Sequence, residues 1–254
     1  MVLTTNRGEQ ADQRQEREAT PTRLTIGADE LHVWRASLER PAPVVASLRR
    51  RLASDERRRA DRFRFERDRS RYIVGRGLLR TLLGRYLALK PEAIRFEYGA
   101  FEKPQLRDPG PWFNLSHSGP VALYAITHIG DVGIDVELDD EDFAQERIAE
   151  RFFSPAETAV LRSLPQRLQA RAFLTCWTRK EAFIKARGDG LSLPLDSFDV
   201  ALEPCARAAI LRTAWSQDEP QQWSVRDLSD RRAGYVAAVA IRGQVRRIVS
   251  RELI

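Results

Sequence analysis

Residues 121–138, VALYAITHIGDVGIDVEL, contain two short apolar runs, VALYAITHI at 121–129 and VGIDVEL at 132–138. Runs of this length and composition are typical of strands. The pair Gly130-Asp131 between them is typical of a tight turn. The stretch therefore predicts a β-hairpin, around which the rest of the fold is arranged.

The second run carries two acidic residues at strand spacing. Because side chains alternate along a strand, Asp135 and Glu137 share one face, while Ile134 and Val136 point the other way, into a core. Neighbouring carboxylates repel each other, and the ordinary interpretation of such a pair is a solvated strand edge. The alternative is a divalent cation that holds both side chains, and oxygen ligands of this kind suit Mg²⁺.

Further strands and helices flank this stretch. Periodicity predicts strands at 31–38, 94–98, 197–202, 222–228 and 235–241, and helices at 47–64, 67–89, 155–164 and 167–187. We expect an α+β fold of two similar α/β halves, residues 23–112 and 113–254, related by a pseudo-twofold axis. A polar N-terminal extension, residues 1–22, is expected to be mobile.

The net charge of +6 is unevenly distributed along the 254 residues. Residues 49–80 hold 13 Arg against five acids, whereas residues 131–150 hold nine acids and one Arg. A nucleic-acid-binding protein usually spreads one sign of charge along a face. The pattern better suits a ligand with phosphates at one end and a metal ion at the other, so we expect no nucleic acid as partner.

The sequence contains no segment typical of a membrane span or of secretion. No uncharged apolar run approaches the roughly 18 residues that a transmembrane helix needs, and the first twenty residues lack the apolar core of a secretory signal. Cys176 and Cys205 have neither metal-ligand nor CxxC spacing. We expect a cytoplasmic protein with reduced, structural cysteines and no membrane contact.

Lysine is rare, since only four of the 42 basic residues are Lys. Two of the four, Lys180 and Lys185, lie within six positions, and Trp177, Glu181 and Lys185 are spaced by four along one stripe of a helix. A surface Glu-Lys pair is one interpretation. A metal-binding Glu181 beside a phosphate-directed Lys185 explains the lysines better, because a guanidinium does not replace a compact ammonium.

Residues 114–119, NLSHSG, are expected in a loop just before the first apolar run. Ser116 and His117 are adjacent, which rarely allows the geometry of a nucleophile and its base, so a hydrolase is not favoured. A hydroxyl and an imidazole in a loop can instead hydrogen-bond a phosphate.

Five motifs follow in order along the chain: FNLSHSG at 113–119, GIDVE at 133–137, RFFSPAE at 151–157, WTRKEAFIKARGDGL at 177–191 and LPLDSFDV at 193–200. Each is weak alone, but five in this order are specific. Together they resemble the motifs of the 4'-phosphopantetheinyl transferases, of the larger type that modifies peptide- and polyketide-synthase carrier domains. Weaker N-terminal matches are VWRASL at 33–38, the Arg-rich segment from Arg59 to Arg71, and Glu102-Lys103-Pro104.

The resemblance implies a monomeric enzyme that binds coenzyme A and Mg²⁺ between two similar halves. It would transfer 4'-phosphopantetheine to a Ser hydroxyl of an apo carrier protein (acyl, polyketide or peptidyl) and release 3',5'-ADP. The positions that match the family's site residues are Asp135, Glu137 and Glu181 for the metal, Lys185 for the pyrophosphate, Lys103, Ser116 and His117 for the nucleotide, and Arg59 and Arg71 for the 3'-phosphate. Glu102 departs from the family, because many members have Gly there.

Glu181, or a water beside it, is our preferred base for the carrier serine, with Glu157 as the second choice. Glu157 is equally well explained as the first-turn acid of a helix that Ser154 caps. Two other hypotheses remain. A coenzyme A-binding module without catalysis is disfavoured by the complete acid set and by Lys185, and a nucleic-acid-binding protein is supported by the net charge alone.

Overall fold

The computed structural model describes residues 23–99, 101–139, 145–203 and 207–253. The extension expected to be mobile, residues 1–22, lies outside these ranges, as does Cys205. Cys176 is a buried free cysteine. Within the four described ranges, every helix is too short or too polar to cross a membrane.

The helices and strands alternate irregularly along the chain. They are β1 (Glu30–Ser37), α1 (Ala42–Arg50), α2 (Ser54–Asp61), α3 (Glu66–Leu87), β2 (Phe96–Tyr98), β3 (Pro104–Leu106), β4 (Trp112–Ser118), β5 (Val121–Thr127), β6 (Val132–Leu138), α4 (Gln145–Phe152), α5 (Pro155–Ser163), α6 (Gln166–Arg187), β7 (Phe198–Val200), β8 (Ile210–Thr213), β9 (Trp223–Asp227), β10 (Tyr235–Arg242) and β11 (Arg247–Leu253). The sequence patterns do not predict β3, β4, β8 or β11.

Two main sheets contain seven of the eleven described strands, and the other four form the two-stranded pairs β2-β3 and β7-β8. The first has the order β11-β1-β5-β4, in which β1 and β11 are parallel and the other neighbours antiparallel. The second has the antiparallel order β6-β10-β9. β4 begins at the boundary expected at residue 112 and β5 follows it, yet both pair in the sheet of β1. The division of the chain into halves stays a prediction.

The hairpin predicted between β5 and β6 is wrong. Both edges of β5 are already paired, with β1 and β4, while β6 pairs with β10. At Gly130 and Asp131 the chain instead passes from the first sheet to the second. A Cβ atom on Gly130 would lie 2.6 Å from the carbonyl oxygen of Arg242, so this crossing packs closely against the end of β10.

Three hydrophobic clusters place the long helices outside the two sheets. α3 packs on the first sheet through a cluster that includes Leu79 and Tyr124. A second cluster, with Leu123 and Ile134, fills the space between the sheets. α6 packs on the second sheet through a cluster that includes Phe183. The resulting layer order is helix, sheet, sheet, helix.

The single helix predicted at 47–64 is wrong, because the segment forms α1 and α2. Glu56 lies in the first turn of α2, where its carboxylate accepts a hydrogen bond from the backbone N of Ala53 at 2.9 Å. This buried carboxylate also accepts from Nε of Arg76 at 2.6 Å and from Nε of Arg80 at 2.5 Å. Two arginines of the basic segment are therefore buried partners of Glu56 within the fold.

Candidate active site

The acidic strand β6 lies directly against helix α6. A Cβ atom on Gly133 would stand only 2.1 Å from the carbonyl oxygen of Ala182, so the two backbones are in contact. The alternation predicted for β6 is confirmed, because Ile134 and Val136 are fully buried in the cluster between the sheets. Asp135, which alternates with them, faces α6.

Lys185 of α6 meets Asp135 of β6 and Ser116 of β4. Its Nζ atom lies 2.5 Å from Oδ1 of Asp135 and donates to Oγ of Ser116 at 3.1 Å. Ser116 Oγ donates to the same Oδ1 at 2.9 Å. Burial raises the pKa of Asp135, and the positive charge of Lys185 opposes that rise. Three elements thus converge on one buried acid, whose Oδ2 is buried without a hydrogen-bond partner among the described residues.

Glu137, two positions along β6, has its own polar partners. Its Oε2 accepts a hydrogen bond from Ser118 Oγ at 2.9 Å, and its side chain is also hydrogen-bonded to Trp177 of α6. Burial and the negative charge of Asp135 raise the pKa of Glu137. The pair predicted from strand spacing therefore lies between β4 and α6. It does not lie at a solvated strand edge.

Glu181 lies on α6, one turn before Lys185. It is half-buried, and no described residue forms a hydrogen bond or an ion pair with its carboxylate. Burial raises its pKa, the charge of Lys185 opposes this, and the charges of Asp135 and Glu137 add to it. The four charged groups are therefore close enough to act on one another.

A pocket of about 280 Å³ opens beside these groups, and Glu181, Lys185 and Lys103 line it. Nζ of Lys103 donates to the carbonyl oxygens of Val132 at 3.1 Å and Ala186 at 3.0 Å. Burial lowers the pKa of Lys103 to about 8. The pocket thus brings together three of the predicted site residues from distant parts of the chain.

The loop predicted for NLSHSG is wrong, since Asn114 to Ser118 lie in β4 and only Gly119 is in the turn that follows. Ser116 and His117 therefore point to opposite faces of a strand. Asn114 and Ser118 share the face of Ser116 and bind β6, with Asn114 Oδ1 accepting from the backbone N of Ile134 at 2.9 Å. The polar residues of this motif connect the edges of the two sheets.

The two predicted arginines lie in the N-terminal part of the molecule. Arg59 Nη1 is 3.5 Å from Oε2 of Glu102, which lines the pocket. Arg71 donates to Oε1 of Glu39 at 2.8 Å, while its Nε is buried without a partner among the described residues. Burial and nearby positive charges, including Arg71, lower the pKa of His117.

Glu157, the second choice for the base, is a buried structural residue. With Ser154 it forms the reciprocal capping hydrogen bonds of α5, at 2.9 and 3.1 Å. It also accepts from the backbone N of Val200 at 2.8 Å and pairs with the fully buried Lys180 at 2.7 Å. The first-turn explanation of Glu157 is confirmed, and both of its oxygens are occupied.

Known proteins match most of this chain. The 4'-phosphopantetheinyl transferase superfamily model matches residues 131–240, and the 4'-phosphopantetheinyl transferase N-terminal model matches residues 32–128. The 4'-phosphopantetheinyl transferase HetI of Nostoc sp. is 40% identical over 227 residues, which cover 88% of this chain and 92% of that protein. The chain belongs to the 4'-phosphopantetheinyl transferase family.

The transferase is also similar to the 4'-phosphopantetheinyl transferase Sfp of Bacillus subtilis, at 36% identity over 160 residues, which cover 63% of this chain and 70% of that one. Among solved structures, the holo-acyl-carrier-protein synthase of Thermotoga maritima is 22% identical, with a TM-score of 0.34, over 45% of this chain and 63% of that chain. The resemblance in the sequence motifs is confirmed. The protein is an enzyme that transfers phosphopantetheine to carrier proteins.

The donor set of the transferase fits a hard divalent cation. Oδ2 of Asp135 is buried, with no partner in the part of the chain that the structure describes, and Glu137 and Glu181 supply further carboxylates whose charges reach it. As arranged here, no group of three or more His, Cys, Asp or Glu side chains within the described ranges is close enough to hold a metal ion. The ligand set therefore stays a prediction.

Some residues of the transferase's site are not singled out by the sequence analysis. Ser118 and Asn114 hold β4 against β6, and Phe101 forms a wall of the pocket. The signal for the first two is their alternation with Ser116 at a spacing of two, which is a strand pattern. No local pattern predicts Phe101, because the pocket forms only when distant elements meet.

Proposed function

We propose that the transferase takes 4'-phosphopantetheine from coenzyme A and, with Mg²⁺, attaches it to a Ser hydroxyl of an apo acyl, polyketide or peptidyl carrier protein, releasing 3',5'-ADP. The observation that carries this proposal is the meeting of Lys185, Asp135 and Ser116 beside a pocket that Glu181 lines. The ammonium of Lys185, the buried acid Asp135 and the carboxylate of Glu181 suit a reaction in which a hydroxyl group loses its proton and attacks a pyrophosphate.

Asp135, Glu137 and Glu181 would hold the Mg²⁺. The unpartnered Oδ2 of Asp135 and the mutual repulsion of the three carboxylates support this assignment. When bound, the ion supplies positive charge against the pyrophosphate.

The residues of the chain have distinct roles in the transfer. The carrier serine oxygen bonds to the phosphorus that bears pantetheine, and the bond from that phosphorus to the bridging oxygen breaks. Lys185 stabilises the negative charge that develops on the leaving oxygen, and Asp135 holds its ammonium in place. Glu181, or a water beside it, accepts the serine proton, since no described residue pairs with its carboxylate, which lies at the pocket.

The nucleotide end of coenzyme A would occupy the side of the pocket toward the N-terminal half. Lys103 lines the pocket. Ser116 and His117 lie on opposite faces of β4, so they would contact different parts of the nucleotide. Arg59 at the rim and Arg71, with its buried unpartnered Nε, would receive the 3'-phosphate. Guanidinium groups suit this role because they present several N–H donors to one phosphate.

The arrangement of the chain as two similar halves about a pseudo-twofold axis is part of this proposal. Helices α3 and α6 are 22 residues each and pack on different sheets, which supports it. We also propose that the enzyme acts as a monomer in the cytoplasm, without a membrane or nucleic acid as partner.

The test is to incubate the protein with coenzyme A, Mg²⁺ and a panel of apo carrier domains and to measure the carrier mass. We expect each accepted carrier to gain the mass of one phosphopantetheine group on its serine. A carrier in which that serine is Ala serves as the control. Binding of coenzyme A without any mass gain across the panel would support a binding module without catalysis, and overturn this proposal.

A further inference from the structure

Glu102 has a backbone conformation that is unusual for a residue with a side chain. Its φ angle is 57°, in the left-handed region that favours glycine. The residues on both sides of it, Phe101 and Lys103, are held by close contacts. Lys103 is held by two carbonyl oxygens, and a Cβ atom on Gly190 would lie only 2.8 Å from the ring of Phe101. Such strained positions concentrate at functional sites, which makes Glu102 a candidate for a specific role.

The carboxylate of Glu102 is held at the rim of the pocket, opposite a cation. Its Oε2 lies 3.5 Å from Nη1 of Arg59, and the two side chains are 78% and 52% exposed. Among the described residues, Glu102 is the one carboxylate within ion-pair distance of Arg59. Arg59 also lies over the ring of Tyr72, with 5.9 Å from its guanidinium carbon to the ring centroid. Arg59 thus has a charged partner that a ligand phosphate can displace.

We propose that Glu102 competes with the 3'-phosphate of the nucleotide for Arg59 and so weakens the hold of the enzyme on 3'-phosphorylated ligands. The inference rests on the proposed function, in which Arg59 receives that phosphate. A phosphate that reaches Arg59 must displace the carboxylate and remain near its negative charge. Because both side chains are exposed, the competition is a modest one that ligand binding can overcome.

The competition has a consequence for turnover. Coenzyme A and the product 3',5'-ADP carry the same 3'-phosphate, so Glu102 weakens the binding of both. Release of the product limits turnover in many enzymes. A carboxylate that displaces the phosphate from Arg59 therefore favours departure of 3',5'-ADP.

The test compares wild type with Glu102→Gln, which removes the charge and nearly preserves the shape. Binding of 3',5'-ADP and of 5'-ADP, which lacks the 3'-phosphate, is measured by calorimetry at low salt. We expect Glu102→Gln to bind 3',5'-ADP about 2- to 5-fold more tightly, the range of an exposed ion pair. Binding of 5'-ADP should be unchanged. In transfer assays, the inhibition constant of 3',5'-ADP should fall by the same factor.

Three controls separate this competition from a general charge effect. Glu97→Gln removes another exposed carboxylate, on nearby β2, and should leave both affinities as in wild type. In an Arg59→Gln background, the effect of Glu102→Gln should disappear. At high salt the difference should shrink, because exposed charges are screened. Glu102→Asn, a residue that tolerates the left-handed region, is the second variant should Glu102→Gln fold poorly.

An equal change for 5'-ADP, no change for 3',5'-ADP, or an effect that persists without Arg59 would each overturn the inference. These results differ from a failure of the proposed function. If wild type binds 3',5'-ADP and modifies a carrier while Glu102→Gln behaves like wild type, only the role of Glu102 is wrong. If wild type neither binds the nucleotide nor modifies any carrier, the proposed function and the inference fail together.

Discussion

Asp135 is the side chain on which Lys185 and Ser116 converge, and it is only 3% exposed. Replacing it with Ala removes the carboxylate that holds Lys185, which is also one of the proposed metal ligands. We expect Asp135→Ala to lower kcat/KM by about 100-fold or more, on the scale of a lost group that stabilises transition-state charge. The fold should persist, because Lys185 is partly exposed and can reach solvent.

Asp135→Asn is the matched variant, since it keeps the volume and the acceptor for Ser116 but removes the charge. It should lose transfer to a similar degree, with circular dichroism and thermal unfolding close to wild type. Retained transfer at ordinary Mg²⁺ in either variant would show that the assigned acid site is wrong.

The lowered pKa of Lys103 predicts that nucleotide binding depends on pH. Burial lowers its pKa to about 8, so the free enzyme carries the ammonium below that pH and loses it as the pH rises above. The charged form attracts phosphate, and affinity for 3',5'-ADP should therefore be full below pH 8 and fall above it. Calorimetric titrations from pH 6.5 to about 9.5 measure this decline.

Lys103→Arg is the control, because a guanidinium stays protonated throughout that range. Its affinity should be flat with pH, whatever its absolute value. A wild-type affinity that does not change between pH 7 and about 9.5 would remove Lys103 from the nucleotide site.

The packing of β6 on α6 decides whether Asp135 and Lys185 meet at all. A Cβ atom at Gly133 would lie 2.1 Å from Ala182 O and 2.3 Å from Ala186 N, both of them backbone atoms. Gly133→Ala must therefore move α6 away from β6. We expect it to lower the free energy of unfolding by about 3 kcal/mol or more and to abolish transfer.

The matched control for this change is Gly99→Ala, where a new Cβ atom would meet nothing within 4 Å. Denaturant unfolding and the carrier mass assay are measured on both variants. Gly99→Ala should unfold and react like wild type. Equal stability of the two variants would contradict the close contact between β6 and α6.

The first sheet of the molecule is completed by the C-terminal strand. β11 pairs in parallel with β1 over the register from Glu30 and Arg247 to Ala36 and Leu253. Removing residues 247–254 would leave an unpaired edge along β1. We expect the free energy of unfolding to fall by more than about 2 kcal/mol, which lowers Tm by about 4 to 8 °C in a chain of this size.

Glu252→Gln is the control for this truncation, since it removes only the exposed ion pair between Glu252 and Arg35. It should change Tm little, because exposed pairs contribute about 1 kcal/mol at most. Thermal unfolding by calorimetry distinguishes the two. A truncated protein as stable as wild type would mean that β11 contributes nothing to the sheet.

Local periodicity correctly predicts which faces of β6 and α6 carry the acidic residues and Lys185. The alternation of β6 places Asp135 and Glu137 on one face, and the spacing of four places Glu181 and Lys185 on one stripe of α6. Both patterns depend on residues a few positions apart, which the backbone geometry of a strand or helix relates directly. The same reasoning fails for NLSHSG, because its polar residues are typical of a loop and its partner strand lies elsewhere in the chain.

The amino-acid sequence alone therefore determines the family and identifies the acidic residues Asp135, Glu137 and Glu181, since the motifs and their local spacing are sufficient for both. The partners of the charged side chains are decided by the tertiary structure. Lys185 reaches Asp135 across 50 positions and Ser116 across 69, Glu157 is occupied by Lys180, and Arg59 meets Glu102 across 43. Contacts at such separations depend on how sheets and helices stack, and no repeat in the sequence encodes that stacking.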